Sequence, residues 1–257
     1  MTPMKSLPRL VAELVGTAFL LAAVVGSGIM AERLSDGNVG LALLANAIAT
    51  GATLTALILT FGPVSGAHFN PAVTLADASQ GGLVWSDVPG YLVAQVIGAF
   101  AGVALAHLMF DLRLFSASLH VRTGGSQWLS EGVATFGLLA VIWGCSRRRS
   151  EAVPFAVGAY IVGAYWFTAS TSFANPAVTL ARGWTDTFAG IRPGDVGGFV
   201  VAQLLGAAAA TALFRWLVPS LPATAVDVVV PRNDVDVKAE RESLRSRQMS
   251  RSSREDQ

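Results

Sequence analysis

The chain has 257 residues, of which 53% are hydrophobic and only 14% are charged, and its mean hydropathy is +0.54. Soluble globular proteins carry about 25% charged residues, so this chain has too few charges to cover a water-facing surface of its size. The net charge of +1 gives no indication of a nucleic-acid partner. The single cysteine, Cys145, excludes an intrachain disulfide. The composition therefore predicts a membrane protein.

Long apolar stretches follow one another along the chain. A helix rises about 1.5 Å per residue, so about 20 apolar residues cross the hydrocarbon core of a bilayer. We predict transmembrane helices at 9–31, 39–61, 88–109, 127–146, 153–170 and 195–218. Two further apolar segments, 71–79 and 176–184, are too short to span. Each begins with an Asn-Pro pair, which suits a helix start, so both are predicted to be half-helices.

The two half-helices belong to an internal repeat. From Asn70 and from Asn175 the chain reads the same seven residues, NPAVTLA. The spans that follow also match, around Gln95 and Gln203. Each copy has three spans, so the two copies must lie in opposite orientations, as an inverted repeat. This arrangement predicts that one half-helix enters from each side and that the two Asn-Pro starts meet near the midplane.

The repeat and the loop charges predict a domain plan and a topology. We divide the chain into a cytoplasmic N-terminus, a first channel repeat, a connecting loop, a second channel repeat and a disordered cytoplasmic tail, at 1–8, 9–109, 110–126, 127–218 and 219–257. Basic residues favour the cytoplasmic side of a membrane. Lys5, Arg9 and the arginines at 147–149 lie on one side if there are six spans. We therefore expect both termini in the cytoplasm and the protein in a bacterial-type inner membrane.

Paired half-helices also predict a pathway for solutes. Interrupted helices are costly inside a membrane unless they line a water-filled cavity or are buried in protein. At each start, several backbone N–H groups lack helical partners, and the helix dipole adds partial positive charge. The amides of Asn70 and Asn175 cap these starts. We expect a midplane constriction that admits neutral, oxygen-bearing solutes and disfavours cations, including hydronium.

At these residues the sequence resembles the major intrinsic protein family, the aquaporins and aquaglyceroporins. The resemblance is carried by SGAHFNPAVT at 65–74 and FANPAV at 173–178, and it covers about residues 9–217. It implies an all-α membrane protein with six transmembrane helices and two re-entrant half-helices in an inverted repeat, usually assembled as a homotetramer with one pore per protomer. The implied midplane residues are Asn70, Pro71, Ala72, Asn175, Pro176 and Ala177.

The resemblance also implies a second constriction, the selectivity filter near the outer mouth. Counting from the two asparagines, we place its four positions at Thr50, Gly163, Ser172 and Val178. Typical family members have arginine at the last position, where this chain has valine. Arginine would add a fixed charge and several donors, so we expect a wide, uncharged opening. Arg182 is not expected to replace it. The missing arginine resembles the aquaglyceroporin-like channels encoded with bacterial arsenic-resistance genes.

The expected activity is passive diffusion of water, glycerol-like polyols and trivalent metalloids such as arsenite or methylated arsenicals. The alternatives are a membrane scaffold with a closed pore and a proton-coupled secondary transporter that uses Glu13 and Glu131. For these carboxylates we favour a structural role, in which they accept hydrogen bonds from the re-entrant loops. The sequence offers no spacing typical of a catalytic, cofactor or metal site, so we expect no enzymatic activity and no cofactor.

Two further expectations concern the walls of the pathway. His68 comes shortly before Asn70 and is expected in the cytoplasmic vestibule, where a role in pH gating stays open. An aromatic cluster in the fifth span is expected to face lipid or the membrane interface, as such residues commonly do: Tyr160, Tyr165, Trp166 and Phe167.

Overall fold

The computed structural model describes residues 7–146 and 150–218, and within these ranges the chain forms helices and no strands. The predicted half-helices are present, from Pro71 and from Pro176, and the predicted fold class is confirmed. The N-terminal residues 1–6, the arginines at 147–149 and the predicted tail at 219–257 lie outside the described residues. The α-helices are α1 (Leu7–Leu34), α2 (Val39–Ser65), α3 (Pro71–Gln80), α4 (Val88–Met109), α5 (Gly125–Cys145), α6 (Val153–Phe167), α7 (Pro176–Arg182) and α8 (Val196–Leu217).

The long helices of the described ranges have the length and composition of membrane spans, except that α6 is short. Five of them are long and apolar enough to cross a bilayer. The fifth predicted span, 153–170, ends early because α6 stops at Phe167. Thr168 turns to extended backbone there, and its hydroxyl donates to the Ala164 carbonyl at 2.6 Å. Large apolar side chains remain exposed around the bundle, as a lipid-facing surface requires, among them Phe19, Ile48, Val93, Phe155, Leu205 and Trp216.

The helices pack in the same pattern in the two sequence repeats. Helix α1 packs against α2 and α4, and α5 packs against α6 and α8. In both repeats a glycine allows two helices to pack closely. A Cβ at Gly98 would overlap the Leu14 carbonyl, and a Cβ at Gly206 would overlap the Gly132 carbonyl. Small residues therefore bring the helix backbones together in each half, as is common in membrane bundles.

The loops that lead into the half-helices share an unusual backbone. Ala67 and Phe69 both have φ of 49° before Asn70. The matching residues Ser172 and Ala174 have φ of 51° and 49° before Asn175. Positive φ is uncommon outside glycine, and such strain persists only where the surroundings hold it. The two halves therefore repeat each other in backbone conformation as well as in sequence.

Candidate pore

The two half-helices meet end to end through their capping asparagines. Asn70 accepts a hydrogen bond from Ala72 N at 2.9 Å, and Asn175 accepts one from Ala177 N at 3.0 Å. Each side-chain amide then donates to the loop of the other repeat. Asn70 Nδ2 lies 2.8 Å from the Ala174 carbonyl, and Asn175 Nδ2 lies 2.7 Å from the Phe69 carbonyl. These reciprocal bonds hold both positive helix ends at one place.

Glu13 holds the first re-entrant loop. Its side chain is 0% exposed, and its two oxygens accept four hydrogen bonds. Oε1 accepts from the Ser65 hydroxyl at 2.7 Å and from His68 N at 3.0 Å. Oε2 accepts from Phe69 N at 2.7 Å and from Gln95 Nε2 at 2.8 Å. The buried carboxylate thus satisfies backbone donors that the strained loop leaves free.

Glu131 makes the equivalent contacts in the second repeat. It is also 0% exposed, and it accepts from Phe173 N and Ala174 N, both at 2.9 Å. Gln203 Nε2 donates to the same carboxylate at 2.6 Å. These three contacts anchor the second re-entrant loop to α5 and α8.

The glutamines connect the loops to the half-helices, a role that the sequence reasoning missed. Gln95 Nε2 also lies 2.9 Å from Thr74 Oγ1, and Gln203 Nε2 lies 2.8 Å from Thr179 Oγ1. The signal was available, because both residue pairs recur at the same positions of the two copies. Each repeat therefore contains one glutamate–glutamine–threonine support for its broken helix.

A cavity of about 70 Å³ lies beside the paired helix starts. This is room for several water molecules, since one water needs about 10–15 Å³ measured in the same way. Its walls are mostly apolar and come from both repeats, including Leu20, Ile58, Ile142 and Val157. The polar side chains on it are Thr50, His68, Asn70, Tyr165, Ser172, Asn175 and Arg182. No aspartate or glutamate of the described ranges lines it.

The residues predicted to form the filter do not all lie on this cavity. Thr50, Ser172 and Val178 line it, whereas Gly163 does not. Gly163 is exposed and lies about 200° around α6 from both Ile161 and Tyr165, which do line the cavity. The structure therefore brings Thr50, Ser172 and Val178 to one cavity and leaves Gly163 off it.

Comparison with known proteins decides the family. The model of the major intrinsic protein family matches residues 1–166. The chain belongs to this family. It is 62% identical to aquaglyceroporin AqpS of Rhizobium meliloti (strain 1021) over 83% of this chain and 92% of that protein. It is 30% identical to aquaporin Z of Rhodopseudomonas palustris, over 82% of this chain and 93% of that protein.

A solved structure shares the fold. The aquaglyceroporin of Plasmodium falciparum matches with a TM-score of 0.63 and 19% identity, over 85% of this chain and 99% of that one. The protein is therefore a multi-pass membrane channel of the major intrinsic protein family.

Tyr165 corrects the expectation that its aromatic cluster faces lipid. Its ring is only 3% exposed, and its hydroxyl donates to Thr50 Oγ1 at 3.3 Å on the cavity wall. The neighbouring Trp166 and Phe167 are half exposed, as expected. The short apolar helix α6 therefore turns one tyrosine inward, at the wall that the sequence reasoning assigned to Gly163.

Arg182 lies on the cavity, where the sequence led us to expect no arginine. It lines the cavity, and its guanidinium carbon lies 3.3 Å from the centre of the Phe173 ring. Its Nε donates to the Ala189 carbonyl. Residues four apart on a helix share a face, so Arg182 lies on the same side of α7 as Val178. The channel lacks an arginine at position 178 but has one on the same wall.

Arg122, from the loop between α4 and α5, approaches the same aromatic ring. Its guanidinium carbon is 5.2 Å from the Phe173 ring centre. Nε donates to the Gly190 carbonyl at 2.8 Å, and Nη1 donates to the Ser170 carbonyl at 3.2 Å. Burial lowers the pKa of the Arg122 guanidinium, but arginine remains charged in proteins. The end of α7 and the loop between α4 and α5 thus place two cations beside one aromatic ring.

His68 lies on the same cavity, nearer the first repeat. It is 7% exposed, with Nδ1 at 3.1 Å from Thr74 Oγ1 and Nε2 at 3.5 Å from Asp77 Oδ2. The imidazole is therefore held between the first half-helix and the cavity.

Proposed function

We propose that this channel conducts small neutral solutes passively: water, glycerol-like polyols, and trivalent metalloids such as arsenite or methylated arsenicals. The observation that carries the proposal is the meeting of two half-helix N-termini beside one cavity, through Asn70 and Asn175. Helix N-termini present donors and partial positive charge, which suit the oxygens of a neutral solute and repel cations. Apart from the polar side chains on the cavity, the side chains that the described residues place on the wall are apolar and supply no acceptors for proton hopping.

The short side chains at the proposed filter support solutes larger than water. Thr50, Ser172 and Val178 are short side chains on the cavity wall, and Val178 stands where an arginine would take up much of the cross-section. We therefore assign these three residues to the filter and retain His68 as a vestibule residue. Similarity to a protein named as an aquaglyceroporin agrees with polyol transport.

Proton-coupled transport is the weaker alternative. A proton relay needs a carboxylate that gains and loses a proton during the cycle. Glu13 and Glu131 are fully buried and accept hydrogen bonds from the loops they support. Protonation would turn one accepting oxygen into a hydroxyl beside backbone N–H groups that bond to no other group among the described residues, so these contacts favour loop support over proton relay.

The wider organisation follows the same proposal. We propose that 9–109 and 127–218 act as the two channel repeats, that 110–126 connects them on the outer side, and that both termini are cytoplasmic. Membership of the family supports assembly as a homotetramer in a bacterial-type inner membrane. Exposed apolar side chains on the bundle, such as Phe155 and Leu205, provide the surface for lipid or for neighbouring subunits.

Replacing Val178 tests the filter. In proteoliposomes we expect Val178→Arg to slow glycerol and arsenite entry on the order of tenfold, which corresponds to about 1.4 kcal/mol, because the longer side chain would fill part of the opening. Water entry should fall less. Stopped-flow light scattering measures water and glycerol, and entrapped arsenic measures arsenite. Val178→Leu is the matched control, since it adds volume without charge.

The same vesicles separate the alternatives. Solute that equilibrates without accumulating supports a channel. Accumulation against a gradient, abolished by a proton ionophore, would instead establish a transporter. Swelling no faster than that of empty liposomes would favour a closed scaffold. Unchanged glycerol entry through a folded Val178→Arg protein would remove Val178 from the constriction.

A further inference from the structure

Arg182 is a buried cation without an acidic partner. Its side chain is 2% exposed. The salt bridges of the described ranges join other residues: Arg9 with Asp87, His68 with Asp77, and Arg192 with Asp195. An isolated charge inside a membrane protein is expensive, and such residues usually face a water-filled cavity and act on a transport pathway. Arg182 does line the cavity between the half-helices.

Its surroundings fix the charge without neutralising it. The Phe173 ring supplies a cation–π contact at 3.3 Å, and the Ala189 carbonyl accepts from Nε. The Tyr165 hydroxyl lies beside the guanidinium. Arginine has five N–H donors, so the terminal nitrogens keep donors that the backbone of the described residues does not use. The guanidinium is therefore both held in place and available to a solute.

A second cation strengthens the local potential. Arg122 lies over the same ring, at 5.2 Å from its centre. The nearby Asp195 carboxylate is engaged elsewhere, with Arg192 Nη2 at 2.7 Å and Arg122 N at 2.9 Å. Two guanidinium groups thus lie beside Phe173, and no carboxylate of the described residues lines the adjoining cavity. Walls of one charge sign in a region of low dielectric focus the potential that a passing ion meets.

The charge sits above the helix junction on the outer side. Arg182 follows Val178 by one turn of α7, so its Cα lies about 6 Å further from Asn175 along the helix. Tyr165 and Thr50 continue a polar row from the guanidinium across the cavity wall, joined by a hydrogen bond of 3.3 Å. A solute in the outer half would meet this row before it reaches the two asparagines.

We propose that Arg182 is the cation barrier and hydrogen-bond donor of the outer half of the pore. Its terminal N–H groups receive the oxygens of hydroxyl-bearing neutral solutes, and its charge excludes monovalent cations although position 178 is valine. Phe173 positions it, and Tyr165 and Thr50 extend the polar wall. The inference rests on the proposed function of this pore as a channel for neutral solutes.

The test compares ion leak with solute entry in one set of proteoliposomes. Vesicles of wild type, Arg182→Gln, Arg182→Lys and Arg192→Gln receive a potassium diffusion potential, and an entrapped dye reports proton entry. Stopped-flow swelling reports glycerol entry. Arg192 is the matched control because it is an outer-loop arginine with 47% of its side chain exposed.

We expect Arg182→Gln to raise the proton leak about tenfold or more, as the loss of a nearby unit charge at an effective dielectric near 20 predicts. Arg182→Lys keeps the charge but not the planar donors. The Arg182→Lys protein should therefore have the same proton leak as wild type and admit glycerol several-fold more slowly. Arg192→Gln should match wild type in both measurements.

Each opposite result overturns part of the proposal. A folded Arg182→Gln protein as tight as wild type, or a leak of equal size in Arg182→Lys or Arg192→Gln, would remove the charge barrier. Wild-type glycerol entry through Arg182→Lys would remove the donor role, and this variant decides that role even if the glutamine variant fails to fold. Wild-type vesicles that admit no glycerol would refute the proposed function, while the leak comparison still decides the barrier.

Discussion

The two re-entrant segments share one scaffold but differ in the residues that face the cavity. In both, a buried glutamate accepts from the loop backbone, and an asparagine caps the half-helix. Two residues before that asparagine and seven after it, however, the first repeat has His68 and Asp77, and the second has Phe173 and Arg182. In the first repeat, His68 Nε2 lies 3.5 Å from Asp77 Oδ2. In the second, the Arg182 guanidinium carbon lies 3.3 Å from the centre of the Phe173 ring.

This difference shows how a duplicated fold acquires direction. The shared groups support backbone that both halves need, so the same chemistry serves on both sides. The two positions that differ between the repeats are in contact with each other, so the residue at one position determines which residue type can pair with it at the other. One entrance thereby gains an imidazole–carboxylate pair, and the other gains an arginine on an aromatic ring. The pathway is symmetric in backbone and asymmetric in charge.

The largest expected effect comes from breaking the shared scaffold. Glu13→Leu and Glu131→Leu should each reduce stability by about 3 kcal/mol or more, because at least two backbone N–H groups lose their acceptor in a buried site. Thermal unfolding in detergent and the yield of monodisperse protein measure the loss. Glu32→Leu is the control, since Glu32 is exposed on the same helix as Glu13.

Equal losses of stability in Glu13→Leu and Glu131→Leu would support the conclusion that both repeats hold their loops by the same contacts. A folded and conducting Glu131→Leu protein would show that the second loop is held by other contacts, and the comparison between the repeats would fail.

A smaller effect is expected at the junction that both repeats build together. Asn175→Asp should admit a cation leak several-fold above wild type, because an added negative charge offsets the positive helix ends. Asn70→Asp is the matched variant and should leak to a similar extent, since both amides donate across the junction. Proton and sodium entry into proteoliposomes measures the leak. An unchanged leak in both folded variants would weaken the electrostatic account of the junction.

The smallest effect is expected on the asymmetric outer wall. Tyr165→Phe removes the hydroxyl that donates to Thr50 at 3.3 Å and keeps the ring. One such bond contributes about 1 kcal/mol, so we expect a modest loss of stability and a change in glycerol entry of a few-fold. Tyr160→Phe is the control, because Tyr160 donates to the Ala134 carbonyl and does not line the cavity. Identical glycerol entry through both variants would place Tyr165 outside the pathway.

Much of the architecture followed from the sequence because its signals are local and occur twice. Apolar length identified the spans, and the repeated NPAVTLA from Asn70 and Asn175 identified half-helices of opposite orientation. The intramembrane glutamates pointed to loop support, and both indeed accept from the loops. The early end of α6 at Phe167 was missed, because extended backbone at Thr168 leaves no change in hydropathy.

By itself, the sequence determined the number of spans, the inverted repeat and the meeting of two helix starts. These features depend on the length of the apolar stretches, on the odd number of spans in each repeat and on short-range capping by asparagine. Only the tertiary structure decided which side chains form the outer wall. Helix α6 is apolar on all sides, so no periodicity distinguishes a face with Tyr165 from a face with Gly163. Arg182 joins the wall because irregular loops bring Phe173, Ala189 and the cavity around it.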